Sequence, residues 1–163
     1  MERMQRKDFM KLQKASSFAL YAVIELAANP AHPLAGTEIA EKYGISAHHL
    51  AKVLRDLGRA GIVDAVRGVG GGYRLAVNAK RLTLLDVIQI FEPVEPQSAA
   101  NGDPELATDA GCALRTVLDE LDDHTLATFR SITISTMLKL MARKPWANAV
   151  RAPKPARRAA SNR

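Results

Sequence analysis

The sequence predicts a mainly α-helical fold that carries one small β-hairpin and ends in a long helix. Three observations predict it. Apolar residues recur at spacings of three and four through the first sixty positions. A glycine-rich stretch, Gly68 to Gly72, then separates two short segments rich in β-branched and aromatic residues. Finally, Leu114, Val117, Leu118 and Leu121 form one apolar stripe within the span from Asp109 to Phe129. The chain has 163 residues, about one domain with a small appendage. Hydrophobic residues make up 47%, enough for a core, but only 5% are aromatic, so that core must be mostly Leu, Val, Ile and Ala.

The elements follow in order. Residues 1–9 read as a flexible basic leader ahead of a second methionine, Met10. A first helix runs from Ser17 to about Ala28, with Ala15, Phe18, Ala22 and Leu26 on one face, and Asn29-Pro30 and His32-Pro33 end it. Thr37 can cap a short second helix over 38–43, with Ile39, Ala40 and Tyr43 facing inward, and Gly44 stops it. Ser46 can cap a third helix over 47–60, whose stripe is Leu50, Val53, Leu54 and Leu57, and Gly61 follows as its stop. Two strands, Ile62–Val66 and Tyr73–Ala76, flank a hairpin tip that includes Gly68, Gly70, Gly71 and Gly72. Thr83 caps a helix over 84–91, with Asp86 in the capping-box position. Glu92 to Thr108 is a loop rich in proline. The long helix comes next, a break at Ser131-Ile132-Thr133 interrupts it, and a short helix runs from Ile134 to Met141. The tail over 143–163 is rich in Pro, Ala and Arg and predicted to be disordered.

Charge is segregated along this order. Residues 1–81 hold 13 Lys/Arg against 7 Asp/Glu, residues 82–142 hold 3 against 10, and residues 143–163 hold 7 against none. The basic parts suit a polyanion, above all nucleic acid. A single cysteine excludes a disulfide scaffold or a zinc finger built within the chain. The apolar runs are too short to span a membrane, and the charged start MERMQRKDF lacks a signal core, so a cytoplasmic protein is expected.

The stretch GTEIAEKYGISAHHLAKVLRDL has the makings of a helix-turn-helix. Ala40 is small enough for two helices to cross, Gly44 tolerates a left-handed turn four residues later, and Leu50, Val53 and Leu54 grip the first helix. The outward face then carries Ser46, His48, His49, Lys52, Arg55 and Arg59. Hydroxyl and imidazole groups can bond base edges there, and the cations can hold phosphates. The hairpin that follows is a wing, with Arg67 at its base and Arg74 on its second strand placed to touch backbone or minor groove. A phosphate-binding loop is the rival reading of the glycines. It fails because a strand follows them rather than a helix, and no Gly-Lys-Ser/Thr is present.

From Met10 to about Leu138 the sequence resembles the bacterial IscR/NsrR/CymR family of winged-helix transcription regulators, the Rrf-type family. Four stretches carry the resemblance: MKL followed by YAV, IAEKYGIS-x-x-x-L, GIVDAVRGVGGGYRL and LTLLDVIQIFE. Val66 to Tyr73 matches the family's wing signature, V-R-G-x-G-G-G-Y, throughout. The resemblance implies a homodimer in which Asp109–Phe129 serves as a dimerisation helix and two winged helices sit over a pseudo-palindromic operator. It places DNA contacts on Ser46, His48, His49, Lys52, Arg67 and the wing glycines. Where one family member reads bases with an acid, this chain has Ala51, so its operator differs. The domains expected are therefore a winged helix-turn-helix over 10–82 and a linker helix, sensor-type loop and dimerisation helix over 83–142.

The sensor departs from the family. Many members hold an iron–sulphur cluster on three cysteines in the loop before the dimer helix, and here that loop offers only Cys112. Two further ligand positions are Arg115 and Ser17. No cofactor is expected. Cys112 has two readings: a thiol made reactive by the start of a helix, or a small buried apolar residue. His48 and His49 point about 100° apart on a helix and do not converge on a metal. His32 reads as solvated, and His124 as a surface partner of Asp122 and Asp123. The expected function is a dimeric, sequence-specific DNA-binding regulator, a repressor, answering to a partner protein or small-molecule effector. The alternatives are a protein-interaction module controlled by a partner protein and a Cys112 redox-sensing regulator. Nucleophile–base sets and nucleotide fingerprints are missing, so no enzyme is expected.

Overall fold

The computed structural model describes residues 12–92 and 108–143. The leader, most of the proline-rich loop and the basic tail with Trp146 lie outside them. Six helices and one hairpin follow in the order α1 (Lys14–Ala28), α2 (Gly36–Tyr43), α3 (Ala47–Arg59), β1 (Val63–Val66), β2 (Gly72–Leu75), α4 (Leu84–Ile88), α5 (Asp109–Ser131) and α6 (Ile134–Arg143). The class matches the expectation, mainly α with one antiparallel hairpin.

One apolar core draws on every element, and α5 reaches it only through Phe129 near its end. Ala19, Ala22, Val23 and Leu26 of α1 form its centre, flanked by Ile39 and Ala40 of α2 and by Leu50, Val53, Leu54 and Leu57 of α3. Leu82, Leu84, Val87, Ile88 and Ile134 close it from the other side. Burying such Leu, Ile and Val side chains stabilises the fold by about 1.5–3 kcal/mol each. The aromatic-poor composition is thus met as expected, by aliphatic packing.

Several boundaries differ from the sequence reading, each for a physical reason. Helix α1 starts at Lys14, ahead of Ser17, because the Glu92 carboxylate accepts the Gln13 N–H at 2.7 Å. That acceptor caps the helix from 79 residues away in sequence, and an anion at a helix start is favourable. Helix α2 starts at Gly36, so Thr37 does not cap it. Instead the Glu38 carboxylate accepts the Ala35 N–H at 2.8 Å, while the Ala35 carbonyl accepts the Glu38 N–H at 3.1 Å. Ser46 flanks α3 as expected but makes no side-chain cap bond. Thr83 and Asp86 do form the reciprocal box, with bonds of 3.1 and 2.8 Å. Helix α4 ends at Ile88 rather than 91, because Ile90 and Phe91 tighten into bonds to Val87 and Ile88 ahead of Pro93.

The strands pair Val63 with Leu75, Asp64 with Arg74, Ala65 with Tyr73 and Val66 with Gly72. Gly72 therefore belongs to β2 rather than to the tip. A second, shorter pairing ties Leu34 to Tyr73 through bonds of 3.0 and 2.8 Å, which fastens the hairpin to the connection between α1 and α2. A third backbone pairing, Thr83 with Thr133, fastens the junction of α5 and α6. Leu84 donates to Ile132 at 2.9 Å and Ile134 donates to Leu82 at 2.8 Å. Beyond this root α5 projects: none of its residues is buried.

Candidate nucleic-acid interface

The turn between α2 and α3 sets the geometry. Gly44 takes φ +63°, a left-handed conformation that costs glycine little. Its N–H and that of Ile45 satisfy the last carbonyls of α2, with Ile45 donating to Ala40 at 2.8 Å. Ala40, buried at the crossing, lets α3 approach, and Ile45 seals the corner beneath the turn. The burial of Leu50, Val53, Leu54 and Leu57 fixes the rotation of α3 about its axis. Ser46, His48, His49, Lys52, Arg55 and Arg59 are consequently all exposed, together with Ala51. The two imidazoles sit 6.2 Å apart with their planes tilted by 55°. Arg59 reaches Asp56 at 3.5 Å, whereas Lys52 and Arg55 make no ion pair with any described residue. This face is cationic, and its chemistry suits phosphates and base edges.

The wing stands beside it. The tip glycines are there for space as well as conformation. A Cβ on Gly71 would lie 2.4 Å from the Val66 carbonyl oxygen, and one on Gly72 would lie 2.4 Å from that of Leu34. Both contacts are with backbone, which cannot step aside. Gly68 and Gly70 have positive φ, and Val69 between them is fully exposed at the apex. Arg67 is exposed at the base of the tip. Arg74 is placed differently. It reaches across the hairpin to Asp64 at 3.5 Å and borders Ala27 and Pro30 at the end of α1. An exposed pair at that distance contributes little energy, but it puts an acid beside this cation.

Sequence reasoning missed the polar cluster that braces α1 against α2. Glu25, 5% exposed, accepts a bond from the Tyr43 hydroxyl at 2.6 Å and pairs with Lys42 at 2.6 Å. Burial raises the carboxyl's pKa, but the bonds from Lys42 and Tyr43 outweigh it and leave it below the ordinary carboxylate value. Burial, and then the neighbouring carboxylate, pushes the Tyr43 hydroxyl well above the usual tyrosine range, so it stays a donor. Tyr21 stacks on Tyr43 at 4.6 Å. The signal was present in the sequence: Glu25 is the one acid in AVIELAA, three residues after Ala22 on the buried face.

The stripe of α5 is bare. Leu114, Val117, Leu118 and Leu121 are 61%, 54%, 45% and 44% exposed. Cys112, in the first turn of the same helix, is exposed too, which corrects the reading of it as a buried apolar residue. It is the chain's single cysteine. Arg115, one turn on, pairs with Asp119 at 2.8 Å. No three His, Cys, Asp or Glu side chains converge in metal-binding geometry among the described residues. His124 is exposed, as is His32. No helix among the described residues is long and apolar enough to cross a membrane.

Comparison with known proteins agrees with this geometry. Residues 12–140 match the model of the Rrf2 family, described as an iron-dependent transcriptional regulator. The HTH-type transcriptional regulator BadM of Rhodopseudomonas palustris is 48% identical over 134 residues, covering 81% of this chain and 83% of that protein. Among solved structures, CymR (YrzC), the global cysteine regulator of B. subtilis, superposes with a TM-score of 0.69 at 25% identity, over 80% of this chain and 97% of the other. IscR of T. potens follows with a TM-score of 0.65 at 25% identity, over 80% and 88%. These relatives are regulators of transcription rather than enzymes.

Proposed function

This chain belongs to the Rrf2 family of transcriptional regulators, and on that premise we propose that it acts as a homodimeric repressor on a pseudo-palindromic operator. The observation that carries the reading is the outer face of α3, polar from Ser46 to His49 and cationic from Lys52 to Arg59, oriented by four buried residues on the opposite side. Lys52, Arg55 and Arg67 hold phosphates, Ser46, His48 and His49 meet base edges, and Gly70 and Gly71 let the wing backbone approach a groove. Arg74 takes a lesser part because Asp64 shares its charge. A polar outer face of this kind suits DNA better than a docked protein, whose interface core is depleted in charge.

The test is a gel shift against a duplex that the full chain selects from a random-sequence pool. Lys52→Ala and Arg67→Ala should each weaken binding by about tenfold and lower the salt dependence by about one counterion, with unchanged thermal stability. Undiminished binding in both variants would refute the placement of the reading face.

The protein works without the family's cluster. One thiolate, with Arg115 where a further ligand would stand, does not supply the soft anionic donors that iron–sulphur centres require. An anaerobic preparation should be colourless and free of stoichiometric iron; a brown protein would contradict this.

A further inference from the structure

A cleft of about 470 Å³ opens where the first turns of α1, the flank of α3 and the chain just beyond α4 meet. We propose that this cleft is an effector site for a small organic acid, a compact apolar body bearing one carboxylate, and that its occupant competes with DNA. The second part rests on the DNA-binding reading of α3 given above.

The size fits a small-molecule site, which commonly falls between about 300 and 1,000 Å³. The chemistry is two-sided. Phe18, Val53 and Phe91 supply an apolar wall, while Lys14 and Lys52 supply cations. Neither lysine makes an ion pair with a described residue. The acid that lines the cleft, Asp56, faces Arg59 at 3.5 Å, so its charge is partly matched already. His49 also lines the cleft. The net field favours an anion, and an apolar wall beside unmatched ammonium groups suits a carboxylate on a hydrocarbon body. The frame is held in place: the Gln13 N–H bond to Glu92 joins the start of α1 to the chain beyond α4, so two walls are fixed before any ligand arrives.

A second cleft differs in the feature that matters. It has about 400 Å³ between the end of α1 and the hairpin, and its cation, Arg74, is already paired with Asp64.

Lys52 links the cleft to the reading face. It lines the one and belongs to the other. A carboxylate held by Lys52 neutralises a charge that phosphate needs, so the two ligands oppose each other and each weakens the other's binding by the same factor.

The experiment uses the full chain, with hexanoate as the probe and hexanamide as its uncharged control. Without DNA, hexanoate should produce saturable NMR shifts at Phe18, Val53 and Phe91 but not at Leu75, and hexanamide should bind about tenfold more weakly. Lys14→Met keeps the alkyl stem and removes the charge; Phe91→Ala removes apolar wall. Each should weaken hexanoate binding while DNA affinity in its absence stays at the wild-type value. With DNA present, saturating hexanoate should lower affinity for the selected duplex by about tenfold, the loss of one phosphate contact. Equal binding of the amide, shifts unchanged in both variants, or no saturation at all would overturn the site. Saturable binding with undiminished DNA affinity would overturn the competition. A chain that binds hexanoate but selects no duplex would refute the DNA reading and leave the cleft assigned.

Discussion

At the scale of single residues, Ser16 is the clearest anomaly. Its hydroxyl is fully buried on α1 and has no hydrogen-bond partner among the described residues. A buried unsatisfied polar group costs about 1–3 kcal/mol, and alanine is also the better helix former. Ser16→Ala should therefore raise unfolding free energy by about 1 kcal/mol in denaturant titration; a loss of stability would mean the hydroxyl has a role in the native state. The residues of the reading face were legible in the sequence because each follows from one periodicity. Once Leu50, Val53, Leu54 and Leu57 point inward, Ser46, His48, His49, Lys52 and Arg55 must point outward. Arg74 was only half legible: alternation along β2 gives its exposure, but its partner comes from the register, which places Asp64 opposite. Cys112 was illegible for a different reason. Whether a residue at a helix start is buried depends on what the helix packs against, and no residue of this helix is buried by the described chain.

At the scale of elements, helices with a strong stripe or a local cap were readable, and ends set by distant partners were not. The Thr83–Asp86 box is local, so the start of α4 was found to the residue. The start of α1 depends on Glu92, which spacing does not reveal, whereas that of α2 rests on the local Ala35–Glu38 bonds, hidden because Ala35 has no side-chain oxygen to mark it as a cap. The Glu25–Lys42–Tyr43 cluster belongs to this scale because it joins two helices. Lys42 is half-exposed, so the ion pair is screened and the cluster's value lies mainly in satisfying a buried acid. Glu25 has its folded-state pKa below the ordinary value, so its contribution is complete above about pH 4.5 and is lost as pH falls through the folded pKa. Replacing it with glutamine removes that dependence. The stability gap between wild type and Glu25→Gln should be widest near neutrality and should close in acid, as followed by thermal melts across pH. A gap independent of pH would show that Glu25 acts through shape alone.

At the scale of the whole molecule, the division of labour is between a packed body and a bare rod. A stripe of four apolar residues that no described residue buries favours a second copy, for which the same stripe is self-complementary. Val117→Asp should convert a dimer into a monomer in sedimentation equilibrium and weaken binding to a two-half-site duplex. The melting temperature of the monomeric body should hold, since Val117 is exposed and takes no part in the core. A dimer that survives both Val117→Asp and Leu121→Asp would rule this helix out as the seam.

The Thr83–Thr133 pairing has a consequence of its own. The rod is anchored to the body by amide-to-carbonyl bonds at Leu84 and Ile134 and by the buried side chains of Leu82, Leu84 and Ile134, with Phe129 and Ile132 packed against the same core. Proline at 84 or 134 would remove an amide hydrogen, and a small residue in place of Ile134 would leave a fully buried place empty, so the pivot is held twice over. The lever arm's angle is consequently set by main chain and core together. Torque applied along it is therefore delivered into the packed body and not to a loose joint.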